Sequence, residues 1–210
     1  MCVPALGMGR IPEQLAARLP DGTVSLGTPV RRVTGEGVEA GTGEAIEAGA
    51  VVVAADPAGA AALVPEIEAP VMRPVTTFYH AAPESPLNEP VQILDAEGTI
   101  TDTLVLSDAA PEYSPDDRAL ISTSVLGIDT DEAQVRGRLT EIYGDTADWR
   151  LIASYQVETA LPAMPPLPLR RPVRLRPGRY VCGDHRDTGS IQGALVSGRR
   201  AAEAVLADLP

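Results

Sequence analysis

Lysine is missing altogether: all 17 basic residues are arginine, set against 29 acidic ones, for a formal net charge of −12. So acidic a surface repels phosphate backbones and anionic lipid, which argues against nucleic acid or a charged membrane as partner. Only two cysteines are present, Cys2 and Cys182, at opposite ends of the chain. They make no disulfide framework, so a reducing compartment is expected. The longest apolar runs, such as Val51-Val-Val-Ala-Ala55, fall far short of the ~20 residues that a membrane span needs. No basic segment leads into a long apolar one at the N-terminus, so no secretory signal is read. These absences together predict a soluble, cytoplasmic protein. A glycine fingerprint for a dinucleotide is absent too. Gly7-Met-Gly9 starts the spacing, but Pro12 stands where the third glycine belongs, and no strand precedes it.

What is there fits a globular chain. At 210 residues, 44% hydrophobic and 22% charged, it is long enough for one large or two small domains with a real core. Pro12 opens a helix over Pro12 to Leu19, with Ile11, Leu15 and Leu19 on its buried side. Short strands are predicted at Val24 to Leu26, Val30 to Val33, Val38 to Ala40 and Glu44 to Ile46, punctuated by glycines. Val51 to Ala55 reads as a strand covered on both faces, and Asp56-Pro57 begins a helix over Ala58 to Val64. From Pro70 the strands lengthen: Thr76 to Ala81, Val91 to Leu94, Leu104 to Ser107 and Ala119 to Val125. Asp131 to Tyr143 is an amphipathic helix with Val135, Leu139 and Ile142 inward and Thr130 or Asp131 as cap. Trp149 to Leu161 is another strand, and Pro162 to Pro168 a proline-rich exit. No internal repeat is found.

The most informative stretch closes the chain. Tyr180, Val181 and Cys182 form an apolar strand end broken by Gly183-Asp184, and Thr188 or Ser190 can cap the helix that follows. Ile191, Leu195, Ala202, Val205 and Leu209 recur at helical spacing beside a stripe of small residues: Gly193, Ala194, Ser197, Gly198 and Ala201. A helix with so bare a flank can lie very close to another backbone or to a flat ring. Its first amides are unpaired donors, and its dipole favours negative charge there.

From Gly183 to Ala202 the sequence resembles, almost without a break, the C-terminal flavin motif of the FAD-dependent amine oxidase, phytoene desaturase and protoporphyrinogen oxidase superfamily. Thr28-Pro-Val-Arg-Arg-Val33, Val51-Val-Val-Ala-Ala-Asp-Pro57 and Ala160-Leu161-Pro162 are similar to other recurring segments of that superfamily. The resemblance implies an α/β plus α+β chain: a partial, glutathione-reductase-like FAD-binding domain (residues 1–69 and 170–210) with an inserted antiparallel-sheet substrate domain (residues 70–169). It implies that the Asp184 carboxylate accepts from the ribityl chain or approaches the pyrophosphate region, that backbone amides near Ile191 and Gln192 face the pyrimidine end of the flavin ring, and that Gly183, Ser190 and Ala194 also belong to the cofactor-binding set. Val30 would pair its backbone with adenine, or serve simply as a strand residue. Only the second half of the family's pattern is present, so the expectation is half of a flavoenzyme, or a truncated product. A second chain would carry the dinucleotide fold, and alone this chain would bind FAD weakly or not at all. Amine oxidases of this kind commonly use a lysine near flavin N5 and an aromatic cage. This chain has no lysine, and Ser190 stands at the cage tyrosine's position. Desaturase-like hydride removal is therefore preferred, with no catalytic residue assigned and no metal.

Other readings compete. Asp187-Thr-Gly-Ser190 matches an aspartic-protease motif, but Asp184-His-Arg precedes it where a hydrophobic strand belongs. His185 beside Asp184 and Asp187 suggests a metal, yet adjacent loop residues rarely converge on one ion. Ser190 lacks the glycine spacing of a nucleophile elbow. His80 is expected to be a satisfied core or sheet histidine, and the arginines from Arg170 to Arg179 a solvated connector in preference to a site for phosphate or a partner's acids. A non-catalytic binding subunit without its own flavin is the alternative from another class.

Overall fold

In chain order, the elements begin with α1 (Arg10–Ala16), β1 (Val30–Val33), β2 (Gly37–Ala40), β3 (Ala45–Glu47), β4 (Val51–Val53) and α2 (Pro57–Leu63). They continue with β5 (Met72–Ala82), β6 (Gln92–Leu94), β7 (Asp102–Val105), α3 (Leu106–Ala109), β8 (Ala119–Leu126), α4 (Glu132–Tyr143) and β9 (Arg150–Pro162). β10 (Arg174–Arg176), β11 (Arg179–Val181) and α5 (Ile191–Asp208) complete the chain. This computed structural model describes residues 3–163 and 169–209. Cys2 and most of the proline-rich exit expected at Pro162 to Pro168 lie outside the described residues. The chain divides into two compact units, Met1–Val24 with Arg73–Ala160, and Ser25–Met72 with Leu161–Pro210.

The first unit is built on a five-stranded sheet of order β6-β7-β8-β5-β9. β5 and β8 run antiparallel from Val75↔Leu126 to Ala82↔Ala119. Side chains alternate along each strand, so Phe78, Ile121 and Val125 share one face, where they pack with Val135 and Leu139 of α4. Asp131 caps α4 by accepting the Gln134 amide at 2.9 Å. Trp149 and Tyr143 close this core with ring centroids 5.6 Å apart. Arg138 reaches from α4 to the enclosed Asp95 carboxylate at 2.7 Å. That guanidinium, with the Ile100 and Glu97 amides, holds the Asp95 carboxyl far below the usual carboxylate range.

The second unit carries two three-stranded sheets, β1-β2-β3 and β10-β11-β4. β11 pairs with β4 in parallel, Tyr180 opposite Val52 and Val181 opposite Val53. Val33, Val53, Val64 and Val181 are buried together around Ala60 of α2. Asp56 fixes the start of α2 by accepting the Ala58 and Gly59 amides, with Pro57 in the first turn.

Several expectations are corrected. Val24 to Leu26 is not a strand: Leu26 is 89% exposed, and glycine and proline on either side leave it no partner strand. The helix expected over Pro12 to Leu19 runs instead over Arg10–Ala16, and its apolar side is not buried: Leu15 is 52% exposed, and Leu19, beyond its end, 48%. β4 is covered on one face only, since Val53 is buried while Val52, pointing the other way, is exposed. The strand expected over Leu104 to Ser107 stops at Val105 and turns into α3, because Ser107 Oγ accepts the Leu120 amide instead of continuing the ladder.

Candidate functional site

β11 ends at Val181, and the chain turns through Gly183 and a short 3-10 turn, Asp184–Arg186, into α5. Gly183 has φ +148°, and a Cβ there would stand 2.6 Å from the His185 ring, so this turn admits only glycine. Ser197, fully buried one face away on α5, uses its hydroxyl to strap the helix to the strand end. Its Oγ accepts the Gly183 amide at 2.9 Å and donates to the Gly183 carbonyl at 2.7 Å.

Three of the five small residues form the packed face of α5, while Ala194 is exposed and Gly198 only partly covered. Gly193, Ser197 and Ala201 are buried, while Ile191 and Leu195 remain about half exposed at 49% and 51%. At Gly193 the approach is so close that a Cβ would lie 1.8 Å from the Thr188 carbonyl oxygen. The bare flank therefore serves the chain's own backbone, and the larger apolar side chains point outward.

Ser190 is the N-cap. Its Oγ accepts the Gly193 amide at 3.0 Å, and its carbonyl takes the Ala194 amide at 3.0 Å. Among the described residues, nothing accepts from the amides of Ile191 and Gln192. Both side chains are exposed. A positive helix end with two open donors is thus presented outward. Asp184 is 30% exposed in its side chain, and the ring of His185 lies 3.9 Å from its carboxylate.

His185 is 4% exposed, and neither ring nitrogen has a hydrogen-bond partner among the described residues. Burial, reinforced by Arg186, holds its pKa below the ordinary value. It is therefore neutral at pH 7. Burial likewise pushes the Cys182 thiol up, so Cys182 carries no reactive thiolate.

Asp187 is committed elsewhere. Its carboxylate takes Arg200 at 3.1 Å and Arg170 at 3.3 Å, and Oδ1 accepts the Thr188 amide. A carboxylate held by two guanidiniums is a structural anchor, not one member of a proton-sharing pair. The arginines from Arg170 to Arg179 are the expected solvated connector only in part: Arg170, Arg174 and Arg176 are exposed but ion-paired, and Arg179 is buried. Arg174 pairs with Asp208 at 2.7 Å, Arg176 lies 3.4 Å from Glu66, and the buried Arg179 donates to the Thr34 carbonyl. In a chain with 29 acids and 17 bases, carboxylates are in excess for such an arginine cluster.

Gly183, Asp184, Ser190, Ile191, Gln192 and Ala194 thus gather at the open end of α5. Val30 stands apart on β1, at the edge of the other sheet of this unit, 39% exposed, opposite Ala40 with a bulge after it. In the first unit, His80 is fully buried on β5 and shares Nε2 with Glu132 at 3.1 Å. Its Nδ1 has no partner among the described residues, so it is only half satisfied. Two features escaped the sequence reading: the Ser197 strap, indistinguishable there from any small helix residue, and the Arg200–Asp187 pair, whose members are 13 positions apart.

No group of histidine, cysteine, aspartate or glutamate suited to a metal ion occurs among the described residues. No helix described is long and apolar enough to cross a membrane.

Solved structures share this fold. A reduced UDP-galactopyranose mutase matches with TM-score 0.69 and 13% identity over 96% of this chain and 52% of its own. An oxidoreductase from Methanosarcina mazei gives 0.61 and 14%, over 84% and 49%. A protein from Pyrococcus furiosus gives 0.64 and 11%, over 87% and 47%. The chain therefore spans about half the length of the structures it matches. A comparison with curated proteins finds no match. The family described as flavin containing amine oxidoreductase matches residues 1–206, and its cofactor, FAD, suits an exposed helix end with free amides. On that match, the chain belongs to the flavin containing amine oxidoreductase family.

Proposed function

We propose that this chain supplies the flavin-facing helix end and the substrate unit of an FAD-dependent oxidoreductase acting in the cytoplasm. One observation carries the reading: the amides of Ile191 and Gln192 are open and outward at the N-terminus of an 18-residue helix. When bound, FAD supplies a two-electron acceptor. The chain's own residues bind and orient it. Ser190 takes up the Gly193 amide and so leaves the first two amides and the helix dipole for the electron-rich edge of the ring. Asp184, partly exposed, accepts from a ribityl hydroxyl; Gly183 sets the turn that places it, and the small Ala194 side chain keeps that approach open. Val30 offers the outer edge of β1 to the adenine. The strand–glycine-loop–helix unit that grips the pyrophosphate comes from a second chain or from a longer form of this polypeptide. The absent fingerprint and the half-length match to related structures support that division.

The preferred reaction is hydride removal from an apolar carbon. No lysine is available to hold water beside the flavin, and a serine occupies the position of the cage tyrosine. The chain then contributes positioning and exclusion of water rather than an acid or base.

The test is an FAD titration followed by gel filtration, with the chain alone and with a polypeptide bearing the dinucleotide-binding unit. Retention only in the mixture is expected. Tight stoichiometric retention by the chain alone overturns the division of labour, and no retention in either case overturns the flavin reading. Robust turnover of a simple primary amine by the assembled enzyme overturns the desaturase preference.

A further inference from the structure

The five-stranded sheet of the first unit has one face under α4 and another that α4 does not cover. Tyr79 and Ala81 alternate with the inward-facing Phe78 and His80 on β5, and Leu120 stands opposite Ala81 on β8. On this second face lies a cleft of about 570 Å³, large enough for a ring-bearing small molecule. Leu106, Leu120 and Ile152 line it together with Tyr79 and Tyr155, whose rings meet edge to face at 6.0 Å and 78°. Neither of these two tyrosine hydroxyls has a hydrogen-bond partner among the described residues.

Arg150, the first residue of β9, is the one cation lining this cleft among the described residues. It is exposed, and its guanidinium has no ion pair or hydrogen bond there. In a chain of net charge −12 that is unusual, because most arginines have found a carboxylate. Asp116, the acid that also lines the cleft, faces Arg118 at 3.5 Å. A largely apolar trough with three tyrosine rings, of which Tyr113 has its hydroxyl committed to the Pro4 carbonyl, and one unspent guanidinium has the complement of a flat apolar molecule carrying a single carboxylate. The fork of arginine matches a carboxylate bidentately, and the tyrosine rings offer an edge-and-face seat for a second ring. A dianionic phosphate asks for more than one cation, and a bare amine is repelled.

We propose that this cleft binds an apolar, ring-bearing monocarboxylate, with the carboxylate on Arg150 and the ring against Tyr79 and Tyr155. The assignment deepens the reading of this unit as the substrate unit and does not depend on flavin.

The test is calorimetric titration of the chain, without flavin, with 2-naphthylacetate, 2-naphthylethanol and 2-naphthylethylamine. The acid is expected to bind about tenfold more tightly than the alcohol, with the amine weakest. Arg150→Gln should erase the tenfold preference and leave alcohol affinity and melting temperature unchanged. Arg73→Gln, which removes a second exposed arginine with no ion pair among the described residues, should keep the preference. Equal affinities for acid and alcohol, a preference that survives Arg150→Gln, a preference for the amine, or no binding of any probe would each overturn the proposal. Since no flavin is present, none of these results bears on FAD binding, and a chain that fails to retain FAD leaves this test intact.

Discussion

The Ser197 hydroxyl and the Gly183 peptide group satisfy each other twice, as acceptor of its amide at 2.9 Å and donor to its carbonyl at 2.7 Å. Through this pair α5 is fixed at the end of β11, and with it the direction in which the helix end points. Ser197→Ala leaves a buried amide without an acceptor and should cost about 1–3 kcal/mol. Urea unfolding checks the size. If Ser197→Ala unfolds like the unaltered chain, the strap is not what holds the helix.

Two glycines of α5 should respond in opposite directions to alanine. A Cβ at Gly193 meets the Thr188 carbonyl oxygen at 1.8 Å, whereas a Cβ at Gly198 meets nothing within 4 Å. Gly193→Ala should therefore lose at least about 2 kcal/mol through forced backbone displacement. Gly198→Ala should gain up to about 1 kcal/mol from helix propensity. Thermal melting of the two variants decides, and equal shifts would contradict the close approach of the helix to the Thr188 turn.

Asp187 ties Arg200 and Arg170 to the turn before α5. Asp187→Ala should destabilise the chain by about 2 kcal/mol, since two guanidiniums lose their partner in a partly buried place. Unfolding curves give the value. No acid peptide cleavage, pepstatin-sensitive or otherwise, is expected of the unaltered chain, and finding it would restore the aspartate to a catalytic role.

Both histidines should make stability depend on pH in the same direction. Burial is the leading cause that lowers the pKa of His80 and of His185 below 6.5. In each case the unfolded chain binds the proton first. Their contribution is then fully present above 6.5 and is lost as pH falls from there to the folded values. Glu132 and Arg136 act on His80, and Arg186, Asp184, Arg171 and Asp56 on His185, without reversing either shift. Urea midpoints should fall between about pH 7.5 and 5.5, a window above the carboxylates. His185→Asn combined with His80→Gln should flatten the fall. An unchanged slope in that double variant would place the dependence on other groups.

Much of the architecture could be read from pattern. A cap at Thr188 or Ser190, of which Ser190 is used, the apolar strand end at Val181, the helix with Val135 and Leu139 inward and the long strands from Thr76 onward follow from local rules of capping and periodicity. Val24 to Leu26 misled because three apolar or small residues carry no information about whether a partner strand exists. The ion pairs of Arg170, Arg174 and Arg176 could not be read because their carboxylates, Asp187, Asp208 and Glu66, lie elsewhere in the sequence. The Arg150 cleft was invisible for the same reason: what marks it is the absence of a partner, which only folded geometry reveals.

By itself, the sequence determined which segment turns from strand to glycine to capped helix, because those preferences act over three or four neighbouring residues. Tertiary structure alone decided which face of that helix is buried. Period and composition offered two stripes, and the small one won because Ser197 and Gly193 let the helix lie against Gly183 and Thr188. Bulkier Ile191 and Leu195 sterically lose that place and stay exposed, leaving the helix end open.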